Sequence, residues 1–201
     1  MYKQQQPVIR HYALTSPKHT LHVIGFVLSS INQRFYRVGN INEVLRNTGD
    51  TPHLSKFQRK AWQAICSESQ AIFNFVVANG QCDAFTAIDF YSQLPGLGIV
   101  KAGFCAQLLH GVGGCLDRHW LKELGLSPSA FNASGVTPKR RARMLQLYCD
   151  TLDTVGTCAY LWDSWCHTVA SLYPAHFYGA EHVSQYHWEA ITGKEWPATK
   201  E

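Results

Sequence analysis

The chain has 201 residues, 46% of them hydrophobic and 16% charged, with a formal net charge of +4 and a pI of about 8.7. That length supports one compact domain with a sizeable core, and six Trp, nine Tyr and ten Phe exclude intrinsic disorder, because buried apolar surface on this scale offsets the entropy of ordering. The mild basicity favours a polyanionic partner, and ten histidines would raise the charge further on acidification.

The opening stretch MYKQQQPVIRHY lacks the charged-then-apolar layout of a secretory signal, and no apolar run is long enough to cross a bilayer, so a soluble cytoplasmic protein without a membrane partner is expected. From Pro17 the spacing of Leu21, Ile24, Val27, Leu28 and Ile31 predicts an amphipathic helix. Gly39, Gly49 and Pro52 punctuate the next segment and predict a short helix over Ile41 to Arg46. One or two helices follow, closing at Gly80, and Asp83 is a candidate N-cap for a helix that turns Phe85, Ile88 and Leu94 inward. Asp117 to Leu124 reads as a short helix stopped by Gly125, and Thr137 with Pro138 opens another, since proline in the first turn forfeits no hydrogen bond. Two more helices complete an all-α chain, taken as a single helical domain over residues 1–201.

Seven cysteines occur singly, with no CxxC pair, which argues for buried thiols over a disulfide framework or a zinc ribbon. His182 and His187 lack ligand spacing, so no metal site is expected. Asn132-Ala133-Ser134 reads as a polar loop. Tyr160, Trp162 and Trp165 form a helical stripe of the kind that usually belongs to the core, with a base-stacking pocket as the alternative.

The segment Leu94-Pro95-Gly96-Leu97-Gly98 carries more information. Proline fixes one turn dihedral and the glycines permit tight backbone, so two helices are joined by a very short turn. With no Cβ in the way, a phosphate can rest on the free amides at the positive end of the second helix, and Lys101 would add a point charge.

These residues, with Ala102, resemble the helix-hairpin-helix DNA glycosylase superfamily, whose hairpin reads L-P-G-hydrophobic-G-x-x-x-A. In that family an Asp follows the hairpin, often as Asp-x-His-x-x-Arg; here Asp117 lies 19 residues after Gly98, followed by His119 and Lys122. The resemblance covers residues 84–124 and implies a multi-helix scaffold and DNA as partner. It also implies that Asp117 is a catalytic carboxylate that assists departure of a flipped base, with DNA contacts from Leu94, Pro95, Gly96, Leu97, Gly98, Lys101, His119 and Lys122.

Two departures from the family pattern shape the expectation. The position of the Schiff-base lysine is Val100, and Lys101, about 100° further round the helix, is expected to face another direction, which disfavours an amine nucleophile. Cys149, Cys158 and Cys166 are too few and too widely spaced for an iron-sulfur cluster, so no cofactor is expected. The basic run Lys139, Arg140 and Arg141 would grip further phosphates or form a solvated helix face.

Three functions therefore compete: a monofunctional DNA N-glycosylase; a phage-type enzyme of thymine hypermodification on the same scaffold, acting in the host cytoplasm; and a non-catalytic DNA-binding module in which Asp117 only caps a helix. The sequence leaves the target base and the oligomeric state open.

Overall fold

The computed structural model describes residues 5–31, 33–49 and 51–196, with side chains from Pro7 onward. Among these the secondary structure is all helix, in the order α1 (Gln5–Ala13), α2 (Pro17–Ser29), α3 (Phe35–Thr48), α4 (Lys56–Ser67), α5 (Ser69–Ala78), α6 (Ala84–Ser92), α7 (Ile99–Leu109), α8 (Arg118–Glu123), α9 (Pro138–Val155), α10 (Cys158–Leu172) and α11 (Ala180–Thr192). No helix among the described residues is long and apolar enough to cross a membrane.

Helix α2 is the axis of the fold. It touches α1, α3, α4, α5, α7 and α11, and from His22 to Ser29 every residue is buried. A single apolar stripe is therefore too narrow a description: a helix apolar on all sides is one surrounded by others. It ends at Ser29 and does not run on, because Gln58 of α4 donates from Nε2 to the carbonyls of Leu28 (3.1 Å) and Ile31 (3.5 Å), pairing acceptors that the helix end leaves open. Gln58 also completes the capping box of α4 with Ser55.

Several sequence expectations are corrected by tertiary partners. Gly39 does not break a helix; it lies inside α3, where its amide donates to Tyr186 Oη of α11 at 2.6 Å. A Cβ at Gly39 would come within 2.7 Å of that oxygen, so the glycine serves a close helix approach. Phe85 faces solvent, and the inward face of α6 is Ala87, Ile88 and Tyr91. Tyr160 is exposed, Trp162 is core and Trp165 is half-buried, so the expected aromatic stripe divides into three environments. The segment at Gln5–Ala13, for which no helix was expected, forms α1.

Local capping follows the sequence closely. Asp83 accepts from the Thr86 amide at 2.7 Å, Thr137 from the Arg140 amide at 3.4 Å with Pro138 next to it, and Gly125 follows α8 at φ 66°. Asn132 lies in an exposed turn, where its side-chain oxygen accepts from the Ser134 amide at 3.0 Å. At the centre, His110 donates from Nδ1 to the Asn79 carbonyl (3.0 Å), leaving Nε2 to accept the Tyr91 hydroxyl (2.8 Å). All seven cysteines are free thiols.

Candidate active site

The hairpin between α6 and α7 is built around one turn. The Leu97 amide donates to the Leu94 carbonyl at 3.2 Å, Pro95 is its second residue, and Gly96 at φ 82° is its third, the arrangement of a type II turn. A Cβ on Gly96 would lie 2.6 Å from Ala61 Cβ of α4, so this glycine is required by both handedness and packing. Leu97 is buried and anchors the turn in the core, whereas Pro95 and Gly98 are exposed. Gly98 is the N-cap of α7 with φ −79°, and a Cβ there would meet nothing within 4 Å. The two glycines thus differ: Gly96 is required by the fold, and Gly98 stands beside open space at the start of α7.

The loop after α7 returns the chain to the same end of the helix pair. Tyr148 of α9, fully buried, fixes this loop by donating its hydroxyl to the Gly114 carbonyl at 2.7 Å and accepting the Leu116 amide at 3.0 Å. Gly103 of α7 lies directly beneath, and a Cβ there would collide with the Gly114 carbonyl. Gly103 therefore admits this loop to the helix, and the loop delivers Asp117.

Asp117 caps α8. Its Oδ1 accepts from the amides of His119 (2.9 Å) and Trp120 (3.3 Å), while Oδ2 has no hydrogen-bond partner among the described residues. Besides capping α8, Asp117 lines a cavity of about 440 Å³. Phe35, Phe104, Trp165 and Tyr173 supply aromatic walls, and Lys101, Cys115 and His119 line the same space, with Ser30, Arg34 and Arg118 also contributing. A chamber with aromatic walls and a few convergent polar groups is the ordinary form of a small-molecule or base pocket.

Lys101 differs from expectation. It lines the cavity together with Val100, donates from Nζ to Ser30 Oγ at 2.9 Å and lies 5.7 Å from the centre of the Phe104 ring. The rotation from Val100 to Lys101 does not carry the longer side chain away from the pocket, because Ser30 at the end of α2 holds the amine there. Burial pushes the Cys115 thiol up to about 12, which keeps it protonated and a poor nucleophile.

The remaining expected contacts are dispersed. His119 is at the cavity, but Lys122 is exposed in the last turn of α8 and does not line it. Lys139 and Arg140 are exposed beside a groove that Arg143, Met144 and Leu147 also line. Arg141 turns inward: it pairs with Asp89 Oδ1 at 2.7 Å and donates to the Asp89 carbonyl at 3.2 Å and to Ser92 Oγ, tying α9 to α6. Its guanidinium has a structural partner and is a poor candidate for phosphate.

Sequence reasoning missed Ser30, Arg34, Phe35, Phe104 and Tyr173 as cavity residues. None belongs to a motif, and of the aromatic walls only Trp165 stands out in the sequence, as part of an aromatic stripe. Among the described residues no group of three or more His, Cys, Asp or Glu is placed to hold a metal ion. Comparison of the chain with protein-family models, curated proteins and solved structures finds no match. The likeness to helix-hairpin-helix glycosylases accordingly rests on the hairpin and Asp117 alone.

Proposed function

We propose that the protein acts on a base of DNA flipped into the Asp117 cavity, and that it most resembles a monofunctional N-glycosylase. The observation that carries this reading is the juxtaposition of two features within one turn of α7: an N-cap at Gly98 with open space beside it, where a phosphate would meet the helix start, and Asp117 in an aromatic cavity lined by Val100 and Lys101. Asp117 Oδ2 stabilises positive charge developing on the sugar, or receives a proton from attacking water, as the base leaves. The cap bonds to Oδ1 hold the carboxylate in place, and Tyr148 holds the loop that carries it. Lys101, fixed by Ser30, supplies positive charge toward the departing base or a neighbouring phosphate.

A second reading is supported by the balance of charge. Arg34, Lys101 and Arg118 line the cavity with Asp117 as its single carboxylate, a balance that suits a pyrimidine bearing an anionic leaving group, as in thymine hypermodification, where the base remains on its sugar.

Mass spectrometry of free bases and residual nucleosides, after incubation of ordinary and pyrimidine-modified DNA with wild type and Asp117→Asn, distinguishes them. Base release by wild type alone supports the glycosylase; a mass-shifted nucleoside in the presence of amines supports hypermodification; neither product leaves a binding module. Borohydride trapping is the control for Lys101: the monofunctional reading predicts no covalent adduct with DNA, and an adduct lost in Lys101→Met would replace it with a lyase.

A further inference from the structure

Phe57, in the first turn of α4, is 68% exposed. A lone exposed aromatic is unremarkable in itself; its position is informative. On one side this turn packs against the hairpin, since a Cβ on Gly96 would lie 2.6 Å from Ala61 Cβ and 3.8 Å from the edge of the Phe57 ring. On the other side Gln58 bonds to the Leu28 and Ile31 carbonyls, and Ile31 and its neighbour Ser30 line the cavity. The first turn of α4 therefore bridges from the hairpin to the cavity wall. Lys56, Arg59 and Lys60 are all exposed around Phe57, and no acidic residue occurs over 55–67.

We infer that this turn is a second DNA-contacting element, in which Phe57 packs against bases laid bare when a nucleotide leaves the stack and Lys56, Arg59 and Lys60 hold the flanking phosphates. The inference rests on the reading of the hairpin and cavity as DNA-facing and adds a surface that the hairpin motif does not contain. An aromatic face lowers the cost of unstacking because every base offers a π surface to it, and the surrounding cations match a polyanion. Three exposed cations with no acidic residue over 55–67, on a helix in contact with the hairpin at Gly96, select nucleic acid as the occupant.

The test uses the full chain and a short duplex with a central mismatch beside a fluorescent base analogue that is quenched while stacked. Wild type raises the fluorescence on binding. Phe57→Ala loses most of that rise and about tenfold in affinity, whereas Phe57→Trp retains both. Replacement of Lys56, Arg59 and Lys60 together by Ala lowers the dependence of log affinity on log salt by about three.

Phe57 is exposed, so an unchanged melting temperature in each variant separates these effects from misfolding. If Phe57→Ala matches wild type in fluorescence and affinity while Gly98→Val abolishes binding, the inference is overturned and the functional reading stands. If wild type binds no DNA, both fall; Phe57-dependent self-association or binding to anionic vesicles in that case gives the patch another occupant.

Discussion

Two groups of positive charge are built in opposite ways. At the start of α9 Lys139, Arg140, Arg141 and Arg143 are nearly continuous in sequence, yet a helix turns about 100° per residue, and Arg141 is directed into α6 while Lys139, Arg140 and Arg143 flank a groove. Around the cavity Arg34, Lys101 and Arg118 come from the entry to α3, the first turn of α7 and the first turn of α8, and converge with Asp117 on one volume. Density of charge along a chain and density in space are separate properties, and the second one makes a site.

The most severe test of this contrast is Asp117→Asn. Asn caps a helix about as well as Asp, so stability should stay within about 0.5 kcal/mol, while base processing in single-turnover assays should fall by about 10² to 10⁴-fold. Next in size is Tyr148→Phe, which leaves the Gly114 carbonyl and the Leu116 amide without their partner in a buried setting. A loss of about 2–4 kcal/mol in urea unfolding is expected, together with slower processing because the Asp117 loop is released.

The hairpin glycines should separate in the same way. Gly96→Val is strained by φ 82° and by contact with Ala61, and should destabilise the fold by about 2–5 kcal/mol in the same measurement. Gly98→Val should fold with little loss and bind DNA weakly, read by fluorescence anisotropy.

Acid sharpens the comparison further. Burial lowers His187 to about 3 and His110 and His22 to about 4, against about 6.5 in an unfolded chain. The folded protein binds fewer protons than the unfolded chain in this window, so the stability from these groups is full above about pH 6.5 and is lost as pH falls toward 4. His187 lies behind the cavity walls, with ring centres 4.9 Å from Phe35 and 4.8 Å from Trp165, so hydrogen exchange in α11 and α3 should accelerate on acidification before that in α9. The smallest effects belong to the α9 run: Lys139→Ala with Arg140→Ala should weaken DNA binding a few-fold without loss of stability, and Arg141→Ala should lower stability by up to about 1 kcal/mol without changing the salt dependence of binding.

What the sequence made legible was local. Asp83, Thr137 with Pro138, and Asp117 with Gly125 each mark a helix end through bonds within a few residues, and the hairpin turn is specified by Pro95 and Gly96. The misreadings were decided by remote partners. Gly39 looked like a breaker because Tyr186, 147 residues away, is invisible from its neighbours. Helix rotation alone turns Lys101 about 100° from Val100, yet both line the cavity, because the hydroxyl of Ser30, 71 residues away in sequence, holds the Lys101 amine there. The aromatic walls of the cavity come from α3, α7 and α10 and from Tyr173 at the end of α10, and no spacing rule links them.

The most direct measurement is a paired one: dissociation constant and single-turnover processing rate on the same modified DNA, for a cavity variant, Asp117→Asn, and a helix variant, Lys139→Ala with Arg140→Ala. A cavity that performs chemistry predicts that the first keeps its affinity and loses its rate, while the second loses affinity and keeps its rate at saturation. An Asp117→Asn protein that processes DNA as fast as wild type would contradict the account and leave Asp117 a helix cap.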